Sequence, residues 1–137
     1  LFGNRLKNWD SALFKVIESK RHLEFEWSVN DCLIFAAEIE SAICADRKLT
    51  WVFDFVGLYR SEQEAAQLMS KDDAWQIMDD YFNQIDRAQR GDIIGLEHNE
   101  QKCLGVWLGE KGAFLGENGL KFVSRKSVDR AWSLWDL

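Results

Sequence analysis

Polar and apolar positions follow two different periods along this chain. In the first two thirds, apolar residues recur every three to four positions. Trp9, Leu13, Val16 and Ile17 form one stripe and predict a helix near residues 8–20. Cys32, Phe35, Ala36, Ile39 and Ile43 share a second stripe, with Glu38 and Glu40 off it, and predict a helix that begins around Asp31. Ser61 followed by Glu64 fits a capping box, in which each side chain satisfies a free N–H of the first turn, so a third helix should start at Ser61. Ala74, Trp75, Met78, Tyr81, Phe82 and Ile85 mark a fourth, and Arg90-Gly91 closes the region. Short apolar runs follow at 92–96, 103–109, 113–115 and 120–123, with a last candidate strand over 130–135. The turns Gly-Glu-Lys-Gly and Gly-Glu-Asn-Gly supply the positive φ angles that tight hairpins need. Five short strands at this spacing predict a meandering antiparallel sheet.

Glycine sharpens the division: seven of the nine lie between Gly91 and Gly119, and proline is absent. Helices first and strands second predict an α+β fold, with a cleft between its two layers. The 137 residues suit a single domain over 1–137, and 47% apolar content suffices for one core.

The formal net charge is −6. The basic pairs Lys20–Arg21 and Arg125–Lys126 are short and read as solvated surface, so no nucleic-acid partner is expected. No apolar run is long enough to span a membrane. No secretory signal is visible, although the sequence begins at Leu1 and a trimmed leader is left open. Three cysteines at irregular spacing, without CxxC, fit neither a disulfide framework nor a four-ligand zinc site. No metal and no cofactor are expected, and a reducing compartment is the default.

Cys32 is the first candidate for chemistry. It follows Asp31, a good N-cap, and so would sit in a first helical turn. There the helix dipole and unpaired N–H groups favour thiolate and can hold an oxyanion. The bland alternative is a small apolar residue on an apolar face.

The segment Phe25-Glu26-Trp27-Ser28-Val29-Asn30-Asp31-Cys32-Leu33-Ile34-Phe35 resembles the nucleophile motif of the NlpC-type cell-wall peptidase superfamily. Arg90-Gly91-Asp92-Ile93-Ile94 resembles the strand that follows there, and Cys103-Leu104-Gly105-Val106-Trp107-Leu108-Gly109 the next one. The similarity spans nearly the whole chain, down to a closing Ala131-Trp132, and is greatest to small members encoded by phages and prophages beside tail genes. It implies a papain-like fold with Cys32 as nucleophile. Phage tail proteins or peptidoglycan become the expected partners, and the bacterial cytoplasm or a virion the expected location. The departures are as telling. Cys103 falls where active members carry the general-base histidine, and Leu115 falls near their third polar residue. Ser28 stands where a glycine is usual.

A replacement base must come within hydrogen-bond reach of the thiol. His98, in the polar stretch before Cys103, is the candidate; His22 is the weaker one, and both have the plain alternative of exposed surface. If Cys103 takes the lost histidine's place, its sulfur points toward Cys32, and a disulfide is possible with Cα atoms within about 7 Å. Cys44 lies along the Cys32 helix and cannot bond to it there. Trp9, Trp75, Trp107 and Trp132 fit the core, whereas Trp27 is placed to wall the cleft. Three readings stay open: a degenerate structural or binding module, an active cysteine peptidase or amidase using Cys32 and His98, and an unrelated α+β domain.

Overall fold

A computed structural model describes residues 5–135; Leu1, on which the reading of the chain's start rests, lies outside them. Helices α1 (Trp9–Lys20), α2 (Cys32–Ile43), α3 (Glu62–Met69) and α4 (Ala74–Tyr81) precede strands β1 (Ile93–His98), β2 (Gln101–Trp107), β3 (Gly112–Gly116), β4 (Gly119–Val123) and β5 (Arg130–Trp132). The sheet is antiparallel, in the order β4-β3-β2-β1-β5. Four strands form the expected meander. The fifth returns to the other flank of β1, which leaves β1 inside the sheet. The β1–β2 hairpin turns on Asn99 and Glu100, both at positive φ (49° and 66°), the geometry of a two-residue turn that matches strand twist.

The helical layer covers one face of this sheet. Phe35, Ile39 and Ile43 of α2 are fully buried, with Leu13 of α1 and Leu104 and Val106 of β2 in the same core. Each such side chain contributes roughly 1.5–3 kcal/mol through removal from water. A smaller cluster of Ile94, Trp107, Phe114 and Ala131 fills the opposite face beneath Ala88. Trp75, Trp107 and Trp132 are core residues as expected, and Trp9 is half-buried against that core.

Several expectations require correction. Helix α4 ends at Tyr81, not Ile85, because Phe82 turns extended and the next residues leave to meet β5, with Ile85 N–H donating to the Ala131 carbonyl. Strand β5 stops at Trp132, where Ser133 bends the chain by accepting the Trp135 N–H on its hydroxyl. Lys20 is not solvated surface. It is buried, with its Nζ 2.7 Å from Glu38 and donating to Asn30 at 2.9 Å. Glu40 is also fully buried, since it accepts the N–H groups of Lys48 (2.9 Å) and Leu49 (2.7 Å) from the loop after α2. Burial pushes its carboxyl up from the ordinary value, and those N–H bonds oppose the push. The 3-10 helix Thr50–Phe55 and the short turn Arg125–Ser127 were not anticipated.

Among the described residues, no helix is long and apolar enough to cross a membrane.

Candidate functional site

Asp31 makes the start of α2. Its extended backbone stops the helix from running backwards, and one carboxylate oxygen accepts the Ile34 N–H at 2.9 Å, a side-chain N-cap. The other oxygen accepts the Ser28 N–H at 2.9 Å and the Tyr59 hydroxyl. Asp31 is 1% exposed, so it is a buried carboxylate satisfied by three donors. Ser28 holds φ +67°, the left-handed region where glycine is usual. Its hydroxyl explains its presence. It donates to the Phe55 carbonyl and accepts the N–H groups of Gly57 and Leu58, which fastens the 55–58 turn to the helix start.

These bonds place Cys32 as the first residue of α2, as expected, on the wall of a groove of about 600 Å³. Phe25 and Trp27 form an aromatic wall, their rings edge to face at 5.0 Å. Glu62 and Tyr59 face it from the 59–62 segment, and Leu96, His98 and Cys103 from the β1–β2 hairpin. Leu115 lines it from β3. Pairing between β2 and β3 ends at Gly105–Phe114, one residue short of Leu104. The Leu104 N–H acts on the Cys32 thiol.

Burial pushes the Cys32 thiol well above its ordinary value, and the charges of Asp31 and Glu62 add to the rise. The Leu104 N–H lowers it, but less. Burial and the neighbouring carboxylates thus oppose the thiolate that the helix terminus is expected to favour. Cys103 is raised too, by burial and then by Glu62. The Tyr59 hydroxyl is also held in its neutral form, by burial and by its bond to Asp31.

Cys32 and Cys103 line one groove, and both are free thiols. The Cys103 side chain packs with Leu96 on the smaller core cluster, its sulfur 4.0 Å from the Gln101 carbonyl. His98 is exposed at the end of β1, its ring 3.2 Å from the Asn99 amide, and it borders the same groove. Its backbone sits two residues along β1 from Leu96, the partner of Cys103, a rise of about 7 Å. His22 is exposed and does not line the groove. Cys44 is buried at the far end of α2. No group of three or more metal-ligating side chains occurs among the described residues.

Sequence reasoning missed Tyr59 and Glu62. The capping box at Ser61 locates the start of α3, with the Ser61 hydroxyl accepting the Glu64 N–H at 3.1 Å. It carries no information on what that helix start faces.

Residues 4–134 match the model of a family described as a domain of unknown function (DUF6950), and the chain belongs to that family. No curated protein and no solved structure matches it.

Proposed function

We propose that this member of the family is a papain-like domain of the NlpC type whose hydrolytic centre has lapsed, and that it serves as a binding or assembly module of a phage or prophage tail. One observation carries this: Cys32 shares its groove with Cys103 and Leu115, while His98 stands exposed at the hairpin end with its ring on the Asn99 amide. A carboxylate is too weak a base to take a proton from a thiol held above its ordinary 9. The placement of Cys32 at a helix start beside an antiparallel sheet is in keeping with the family resemblance. Cys103 and Leu115, lining the groove where polar partners belong in active members, support the loss of catalysis. The groove and its aromatic wall suit an extended chain, with tail proteins and peptidoglycan as the partner classes and a virion or the bacterial cytoplasm as its place.

The alternative is an active peptidoglycan endopeptidase or amidase with Cys32 as nucleophile and His98 as base. Its one support is that His98 borders the same groove. Alkylation of Cys32 by iodoacetamide in the reduced chain, followed against pH with and without His98→Ala, separates the two. A silent centre gives reaction that is still slow when the pH passes about 8.5, where a free thiol ionises, and the same in both chains. Fast reaction near neutrality that disappears in the variant would falsify the silent centre and establish the pair.

A further inference from the structure

We propose that a second cavity, over the smaller core cluster on the sheet face opposite α2, binds the carboxylate of a small organic molecule through Arg125 and Arg87. This cavity, of about 470 Å³, shares no lining residue with the Cys32 groove. Asp86, Arg87 and Ala88 enter its wall from the stretch after α4, and Arg125 and Asp129 from the stretch before β5, beside the buried Trp107. Arg125 reads from the sequence as solvated surface, but it is half-buried here. Its guanidinium carbon lies 4.2 Å from the centre of the Trp107 ring, and one of its nitrogens donates to the Ala88 carbonyl at 3.2 Å. A guanidinium carries five N–H donors in a planar fork, so this bond leaves most of them unspent. Among the described residues neither Arg125 nor Arg87 makes an ion pair. Arg130 also lines the cavity, but its guanidinium is engaged elsewhere, over Trp75 and 4.0 Å from Asp79.

A half-buried cation has given up part of its water and here has no anion in exchange. The indole face and the Ala88 carbonyl fix the Arg125 fork, so little side-chain freedom is lost when a ligand arrives. A fork held this way matches the two oxygens of a carboxylate with two parallel N–H bonds. The charge of the wall narrows the class. Asp86 and Asp129 line the same cavity, and the Asp129 carboxylate accepts the Glu97 N–H at 2.8 Å. Two carboxylates set against two unpaired guanidinium groups leave no positive excess for a dianion. A singly charged, planar anion is the ligand this wall accepts; sulfate or a phosphate dianion brings a second charge toward Asp86 and Asp129.

The test titrates the nitrogen-15-labelled full chain with sodium acetate, sodium sulfate and sodium chloride at matched ionic strength, and follows the Arg125 Nε–H and Trp107 indole N–H signals by NMR. Acetate should move both along a saturating curve, sulfate should bind more weakly, and chloride should leave them in place. Arg125→Gln should weaken acetate binding about tenfold, read at Trp107, and Arg125→Lys by nearly as much, because a point charge does not replace the fork. The α2 amide signals report whether each variant keeps the fold. Should Arg125→Gln disturb them, Arg87→Gln, on an exposed residue, carries the test, with an expected loss of about threefold. Acetate shifts that never saturate, that chloride reproduces, that sulfate exceeds or that survive these substitutions overturn the site. The Cys32 groove takes no part in this measurement, so its outcome is independent of the silent-centre reading.

Discussion

The two ends of helix α2 solve the same problem differently. At the groove end, Asp31 is buried and collects the Ser28 and Ile34 N–H groups and the Tyr59 hydroxyl. At the other end, Glu40 is buried and collects the N–H groups of Lys48 and Leu49. Nearby, Asp92 accepts the Gln89 N–H at 2.8 Å, next to Gly91, which packs against Ile43, Trp9 and Trp135. At this closed base, burial lifts the carboxyls, Asp92 to about 6. At the groove end it is the Cys32 thiol and the Tyr59 hydroxyl that are lifted. Each end thus surrounds a buried carboxyl with donors from outside the helix; the difference lies in the groups around it, a thiol and a hydroxyl at the groove and a second carboxyl at the base.

Removing each carboxylate is the strongest way to break that contrast. Asp31→Ala deletes the N-cap and leaves two further buried donors without an acceptor, an expected loss of about 3–5 kcal/mol in urea unfolding. Glu40→Gln keeps one carbonyl for the loop N–H groups and should cost about 1–2 kcal/mol. Equal losses would make the ends equivalent.

Titration sharpens the base. The Asp92 carboxyl is raised from 3.8 to about 6, with burial the main cause and bonds from Gln89 and Leu134 opposing it. The folded chain then binds this proton more tightly than the unfolded one. Stability is gained as the pH falls through that window and lost as it rises, by at most about 3 kcal/mol over the full span. Glu40 is shifted in the same direction. Urea unfolding of wild type and Asp92→Asn between about pH 4 and about pH 7 should show this slope in the first and a flatter one in the second. A difference between them that does not vary with pH would remove burial as the cause.

The smallest difference, between two variants of one residue, probes the groove end. Ser28→Ala loses the hydroxyl that fastens residues 55–58 and keeps the left-handed backbone, for about 2 kcal/mol. Ser28→Gly loses the same bonds but relaxes the backbone, so about 1 kcal/mol is expected. A glycine variant less stable than the alanine one would mean that no strain is held at residue 28.

The contrast also marks what the sequence could tell. Asp31 and Ser61 were legible as caps because an N-cap acts on N–H groups two or three residues away. The strands were legible because short apolar runs and glycine turns are local signals. Glu40 and Lys20 were not: their burial depends on partners at residues 48–49 and 30 to 38 that no helical period encodes. Tyr59 and Glu62 arrive by a long irregular connection whose path leaves no periodic trace. The flank taken by β5 was equally hidden, since a strand's own pattern does not name its neighbour. Of the site, the position of Cys32 came from one cap and one stripe, whereas the state of its thiol depends on charges gathered from three segments.

Gly95 in β1 lies under Trp75, and a Cβ there would come within 2.9 Å of the indole. That ring cannot easily slide aside. Its nitrogen donates to the Cys103 carbonyl at 3.0 Å, the Lys102 and Arg130 cations lie over the ring, and Trp132 meets it edge-on. A missing methyl group thus acts as the keystone of the vault behind the hairpin. Any residue larger than hydrogen at that point would lever the indole off its strand, and the floor on which Cys103 rides would shift with it.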